Sequence, residues 1–251
     1  MNKRTALITG ATSGIGEATA RVLATNNFNL ILCGRRVERL EALQRELSPK
    51  TEIHTLSFDV RDRGAVEASL SSLEGKWKTI DVLINNAGNA HGMDPIQSGN
   101  VDDWDAMMDI NVKGLLYVSR AILPGMVERK RGHVINIGSI AGLEVYPKGA
   151  VYCGSKFAVD AITKGMRLDM NEAGVKVTVI SPGMVDTEFS LVRFKGDAER
   201  ADAVYKGLKA LSGEDIAEVI RYILHLPDHV VLTEVTVLPR AQASATVVNR
   251  V

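Results

Sequence analysis

Short apolar runs alternate regularly with longer amphipathic segments along this chain, and the alternation constrains the fold more than any other feature. The short runs are rich in β-branched residues, as strands are, and cover 5–9, 29–33, 52–58, 80–85, 133–137, 175–180 and 234–238. The amphipathic segments are predicted as helices over 15–26, 37–47, 63–73, 103–130, 150–173 and 213–225. Pro124 and Gly125 are expected to bend or split the fourth helix. This strand–helix repeat predicts an α/β fold with helices on both faces of a parallel sheet.

The composition is that of a single globular domain spanning 1–251. Apolar residues make up 45% of the chain and charged residues 24%, which excludes a largely disordered chain, a collagen and a coiled coil. Thirty basic and thirty acidic residues give zero net charge, so no global field favours nucleic acid or an anionic membrane as partner. No apolar stretch approaches the ~18 residues that a membrane span needs.

Cysteine and histidine usage adds two further expectations. Cys33 and Cys153 are too few for a disulfide scaffold, so we predict two small packing residues and a cytoplasmic, reducing environment. His225 and His229 have a metal-like spacing, but Pro227 between them disrupts any helix that would align them. No metal site is therefore predicted.

A glycine-rich turn follows the first predicted strand and opens the first predicted helix. Its candidate binding residues are Gly10, Thr12, Ser13, Gly14, Ile15 and Gly16. Glycines at such a turn let the backbone approach a pyrophosphate, and the helix N-terminus offers free N–H groups to it. A plain tight turn is the alternative, but the strand–turn–helix context favours dinucleotide binding. The expected fold is thus a Rossmann-type, doubly wound parallel sheet.

Two arginines follow the second strand, where a fold of this kind that binds NAD places an acidic residue. Gly34 leaves room, and Arg35 and Arg36 come next. Guanidinium groups bind a 2′-phosphate through paired hydrogen bonds, whereas a carboxylate repels it, so we predict NADP as the cofactor. The alternative is that both arginines are solvated residues at the start of a helix.

Further cofactor candidates follow the third and fourth strands. Asp59 is placed to accept a hydrogen bond from an adenine amino group, although capping the next helix is an equally good role for it. Asn86, Ala87 and Gly88 follow the fourth strand, and their small size lets a ribose lie against the backbone. Asn and Gly also suit a plain turn there.

Ser139, Tyr152 and Lys156 form the candidate catalytic group. Tyr152 and Lys156 are four residues apart and share one helix face, where the amine is expected to lower the pKa of the phenol. A Tyr-x3-Lys pair alone often arises by chance. Its position matters more, because Ser139 and Tyr152 follow the carboxyl end of a strand, where open parallel sheets bind ligands.

Taken together, these motifs make the chain similar to the short-chain dehydrogenase/reductase family over essentially its whole length. The resemblance rests on the glycine turn, the 85–88 segment, Asn111, Ser139, the Tyr152–Lys156 pair and the 181–183 segment, in the family's order. It implies that Tyr152 is the general acid/base, that Ser139 polarises the substrate oxygen, and that Lys156 binds the nicotinamide ribose. It also implies that Asn111 holds a water in a proton relay. Without the resemblance, Asn111 would be interpreted as a helix residue packed against a neighbour. The resemblance adds Val60, Pro182, Gly183, Val185 and Thr187 to the cofactor site.

Within this family, the chain resembles the NADP-dependent 3-hydroxy acid dehydrogenases in particular. This narrower resemblance rests on segments 125–129, 132–139, 187–190 and 192–197, and it is weaker in 143–149 and after 240. It implies a homotetramer that oxidises small substrates such as serine, allo-threonine or 3-hydroxypropionate. Two alternatives stay open: a carbonyl reductase of uncharged ketones or steroids, and a dinucleotide-sensing binding protein with an inactive site.

Two segments interrupt the alternation. Residues 182–196 form a loop-like insertion, and the resemblance implies that 182–200 folds over the site as a lid. Arg193 and Lys195 lie on it, and either is placed to pair with a substrate carboxylate, unless both are solvated charges. Residues 240–251 form a tail of small residues that is either mobile or docked on another subunit.

Overall fold

The computed structural model describes residues 3–250; Met1, Asn2 and Val251, which the predicted domain includes, lie outside the described part. Within it, seven parallel strands form one sheet in the order β3-β2-β1-β4-β5-β6-β7. The strands are β1 (Arg4–Thr9), β2 (Phe28–Gly34), β3 (Ile53–Ser57), β4 (Val82–Asn85), β5 (Gly132–Ile137), β6 (Val175–Pro182) and β7 (Glu234–Val237). The predicted doubly wound α/β fold is confirmed.

Helices cover both faces of this sheet. They are α1 (Gly14–Ala24), α2 (Val37–Leu47), α3 (Arg63–Ser71), α4 (Val101–Met108), α5 (Leu115–Glu128), α6 (Ala150–Met170), α7 (Glu188–Arg193), α8 (Ala198–Ala203) and α9 (Gly213–Leu224). The buried apolar residues of α1, α2 and α9 pack on one face, and those of α3, α5 and α6 on the other. Because both faces are covered, the central strands are continuous apolar runs.

The strand order reverses between β1 and β4, because the chain runs outward to β3 before it returns beside β1. Ile8 in β1 pairs with Leu32 of β2 on one side and Ile84 of β4 on the other. The loops that follow β1 and β4 leave the sheet in opposite directions at this point. They leave a crevice at the carboxyl ends, which is where folds of this kind bind ligands.

The long helix predicted over 103–130 is interrupted, but not at its proline. A wider π-helical turn spans Asp109–Gly114, between α4 and α5. Pro124 lies inside α5 without ending it. Pro124 and Arg120 are both exposed, so water can bond the Arg120 carbonyl that lacks an N–H partner.

The predicted insertion at 182–196 is more ordered than a loop. β6 extends to Pro182, and Thr187 caps the short helix α7 by accepting a hydrogen bond from the backbone N–H of Phe189. The tail is not free over its described part, 240–250. Gln242 is buried, and its side-chain oxygen accepts a hydrogen bond from the backbone N–H of Met184. The tail therefore packs on the start of the insertion in its own chain.

Candidate active site

A cavity of about 600 Å³ opens at the carboxyl edge of the sheet. Of the residues predicted to bind cofactor or substrate, or to act in catalysis, all but Gly16, Asn111 and Lys195 line this cavity. Gly16 is buried against the carbonyl of Gly10, where any side chain would clash, so it shapes the turn from behind. The fold thus brings residues from most of the chain length to one edge.

The glycine turn has the geometry of a pyrophosphate cradle. Gly10 and Gly14 have positive φ angles of +65° and +53°, which favour glycine. A Cβ on Gly10 would lie 2.9 Å from Asn86 Nδ2, and a Cβ on Gly14 would lie 3.1 Å from Thr187 Cγ2. Ser13 precedes α1 but makes no side-chain cap, which leaves the first N–H groups of the helix to a ligand. These residues fit a dinucleotide.

Arg35 directly follows β2, and its guanidinium makes only one long contact within the described part of the protein. Its side chain is 58% exposed, and Nη1 lies 3.5 Å from a carboxylate oxygen of Asp59. The Asp59 carboxylate is held mainly by Arg61, with Nη2 at 2.7 Å. Burial raises the pKa of Asp59, but hydrogen bonds from Arg61 outweigh it and hold the pKa below its usual value. The cap of α3 is Asp62, so the predicted alternative of a capping role for Asp59 is wrong.

Arg36 has a different environment from its neighbour. Nε lies 3.2 Å from the hydroxyl of Thr12, and Nη2 donates to both the hydroxyl and the carbonyl of Thr12. Nη1 lies 2.8 Å from Glu188 on α7. Arg39, which the sequence analysis did not single out, also donates to the Thr12 carbonyl and lies 2.7 Å from Glu188. Arg36 therefore stands at the start of α2 with its guanidinium held by Thr12 and Glu188 rather than by solvent alone.

Tyr152 and Lys156 lie on α6, where both are buried beside the end of β5. Lys156 Nζ donates to the carbonyl of Ile137 at 3.0 Å, and burial lowers its pKa to about 8. Burial raises the pKa of Tyr152, and Tyr146 raises it further, while Ser139 and Arg193 act in the opposite direction. The expectation of a lowered phenol pKa is thus not met in the structure, because desolvation of the phenolate is the largest effect.

Asn111 lies in the π-helical turn and is fixed by hydrogen bonds on both sides of its amide. Its oxygen accepts from the backbone N–H of Asn89 at 2.9 Å, and its nitrogen donates to the Asn89 carbonyl and the Ser155 hydroxyl. A Cβ at Gly88 would lie 2.9 Å from Asn111 Oδ1 and 3.6 Å from Lys156 Nζ. Only glycine therefore lets the β4 loop pass between these two side chains.

Arg193 lies above the ring of Tyr152. Its guanidinium carbon is 5.6 Å from the ring centres of both Tyr146 and Tyr152. Nε donates to the carbonyl of Gly92 at 3.1 Å, and the Gly92 N–H donates to the Arg193 carbonyl. No carboxylate among residues 3–250 forms an ion pair with this guanidinium. A cation without a counter-ion among the described residues thus faces the end of the cavity that Tyr152 lines.

Lys195, the other lid cation, is placed elsewhere. Its Nζ lies 3.0 Å from Asp103 on α4, and its side chain is exposed outside the cavity. Of the two cations predicted to pair with a substrate carboxylate, only Arg193 therefore lines the cavity. Tyr146 also lines the cavity and was not predicted as a site residue; it lies in segment 143–149, where the narrower resemblance is weak.

Residues 4–197 match the family model described as short chain dehydrogenase, and the chain belongs to that family. The chain is 48% identical over 240 residues to the NADP-dependent 3-hydroxy acid dehydrogenase YdfG of Salmonella typhi, covering 95% of this chain and 96% of that protein. It is 44% identical over 246 residues to sulfoacetaldehyde reductase 2 of Chromohalobacter salexigens, covering 97% and 98%.

Among solved structures, the fold is similar to the closed form of serine dehydrogenase complexed with NADP+. The TM-score is 0.92 at 44% identity, with 98% of this chain and 100% of that chain covered. No described helix is both long and apolar enough for a bilayer crossing.

Proposed function

We propose that this protein is an NADP-dependent oxidoreductase that interconverts a short 3-hydroxy acid and its 3-oxo acid. The observation that carries the proposal is the guanidinium of Arg193, which has no counter-ion among residues 3–250 and whose carbon lies 5.6 Å from the Tyr152 ring centre. A carboxylate held there would be anchored beside the phenol, so that a carbinol two bonds away reaches it. The relatives named for 3-hydroxy acids and for sulfoacetaldehyde also act on small anions, by their names.

The proposed chemistry assigns one task to each side chain. NADP+, when bound along the glycine turn, would supply the acceptor for the hydride of the carbinol carbon. Tyr152 takes the hydroxyl proton during oxidation and returns it during reduction. The Ser139 hydroxyl, which accepts the Ala141 N–H at 3.1 Å, donates to the substrate oxygen. Lys156 holds the ribose. Asn111 lies behind the cavity wall with both amide hydrogens donated to protein groups, so it would hold the proton-relay water as an acceptor. The lid, 182–200, excludes bulk water.

The remaining expectations extend the same proposal. A homotetramer is implied by the narrower family resemblance, and the partner is a small molecule. A cytoplasmic location is supported by Cys33 and Cys153, which are both buried and not disulfide-bonded.

The test of the substrate class compares 3-hydroxypropionate with its methyl ester, using NADP+ and following NADPH absorbance. We expect kcat/KM to be at least ~10²-fold higher for the acid, because the ester cannot pair with a guanidinium. Equal values would indicate a carbonyl reductase of uncharged substrates. Dinucleotide binding without turnover of any hydroxy acid, alcohol or carbonyl compound would indicate a binding protein.

Replacing Arg35 with alanine is expected to change cofactor choice. Because Arg35 holds the accessible guanidinium at the end of β2, kcat/KM for NADP+ should fall by ~10- to 100-fold and that for NAD+ by less than about twofold. Arg45→Ala removes the same charge from an exposed position on α2 and serves as the control. An equal loss with both cofactors would contradict the assignment.

A further inference from the structure

Glu188 joins two parts of the cavity wall that are far apart in sequence. It lies in the first turn of α7, on the proposed lid, with Oε2 2.8 Å from Arg36 and Oε1 2.7 Å from Arg39. Arg36 is the residue just before α2, and Arg39 lies in the first turn of that helix. The carboxylate therefore ties the substrate side of the cavity to the adenosine side.

The bridge also reaches the glycine turn itself. Arg36 and Arg39 both donate to the Thr12 carbonyl, so the two guanidinium groups connect Glu188 to the turn. Thr187, directly before Glu188, is the side chain nearest to Gly14. A dinucleotide whose pyrophosphate lies on this turn would be enclosed between the turn and α7 while the bridge is formed.

Arg35 and Arg36 differ in how many of their guanidinium N–H groups are already hydrogen-bonded within the protein. Arg36 uses Nε and Nη2 on Thr12 and Nη1 on Glu188, which leaves no free edge with two parallel donors for a phosphate. Arg35 has its side chain more than half exposed, with one long contact to Asp59. Both arginines are predicted from the sequence to bind the 2′-phosphate, whereas these contacts leave only Arg35 available for it.

The bridge is suited to opening. The Glu188 side chain is 39% exposed, and those of Arg36 and Arg39 are 40% and 46% exposed. Ion pairs at this exposure are weak and screened by salt, so they are not a permanent cross-link.

We propose that Glu188, Arg36 and Arg39 form a latch that holds α7 against the glycine turn and controls how fast the bound dinucleotide leaves. The latch rests on the proposed function, since it acts on NADP(H). The latch keeps the lid closed and makes no contact with the 2′-phosphate. Its loss should therefore change the release rates of NADPH and NADH by the same factor, whereas loss of Arg35 should affect NADPH more than NADH.

The test measures dissociation of NADPH and of NADH by stopped-flow fluorescence, in the wild type and in Glu188→Gln. We expect the variant to release both dinucleotides about fivefold faster, a typical effect for partly exposed ion pairs. Wild-type release should accelerate with added salt, and release from the variant should depend on salt much less. Glu41→Gln, which breaks an exposed pair with Arg45 on α2, is the matched control.

Arg39→Gln provides a second, independent variant. Arg39→Gln alone should accelerate release by less than Glu188→Gln, because the pair between Arg36 and Glu188 remains. Added to Glu188→Gln, it should accelerate release no further, because Glu188→Gln has already removed the pair with Arg39. Unchanged release in both single variants overturns the latch, as does slower release, which would mean that the carboxylate merely competes with the cofactor for the arginines. A change confined to NADPH also overturns it. A wild type that binds neither dinucleotide rejects the proposed function and the latch together, whereas normal binding with unchanged release rejects the latch alone.

Discussion

Replacement of Tyr152 by phenylalanine is expected to lower kcat by at least ~10³-fold while NADPH still binds, because the variant keeps the ring but loses the proton-transfer group. The phenol is buried. Among the described residues that line the cavity there is no histidine, and the two carboxylates, Asp59 and Glu188, are paired with arginines, so none is placed to replace the hydroxyl. Steady-state rates with 3-hydroxypropionate measure kcat, and a fluorescence titration with NADPH measures cofactor binding separately.

Tyr146 and Tyr222 supply the comparisons for this variant. Tyr146→Phe alters a second phenol beside Arg193 and should cost far less than Tyr152→Phe. Tyr222→Phe makes the same change on the exposed face of α9 and should leave kcat as it is. Turnover by Tyr152→Phe within about tenfold of the wild type would reject the acid/base role.

Arg193→Gln is expected to lower kcat/KM for 3-hydroxypropionate by ~10²- to 10³-fold, because Arg193 is half-buried, bound substrate would cover its charge pair with the carboxylate, and loss of one partner of a covered charge pair costs about 2–5 kcal/mol. The methyl ester should lose less than about threefold, since it never made the charged contact. The ester is needed as a reference, because Arg193 also donates to the Gly92 carbonyl and the variant loses that bond as well.

Lys195→Gln is the matched control for Arg193→Gln. It removes a positive charge two residues further along the same segment, from a side chain paired with Asp103 outside the cavity. Its kcat/KM for the acid should stay within about twofold of the wild type. An equal loss for acid and ester in Arg193→Gln would mean that Arg193 only holds the segment in place.

Local patterns in the sequence predicted the fold and many of the residues that line the cavity. The alternation of apolar runs and amphipathic segments predicted the parallel sheet, because strand and helix periods depend on neighbours within a few residues. The turn at Gly10 and Gly14 was recognisable for the same reason, since its positive φ angles follow from short-range sterics. Tyr152 and Lys156 were found through their i, i+4 spacing and their place after β5.

Only the tertiary structure decided which of two similar residues faces the cavity. Arg193 and Lys195 are equivalent in sequence, but Asp103 of α4 pairs with the second and leaves the first to the site. The bridge from Arg36 to Glu188 joins residues 152 positions apart, so no local pattern predicts it. The π-helical turn and the raised pKa of Tyr152 likewise depend on packing and desolvation. Ion pairing and desolvation are set by atoms within a few ångströms in space, and for these residues the fold supplies those atoms from distant parts of the chain.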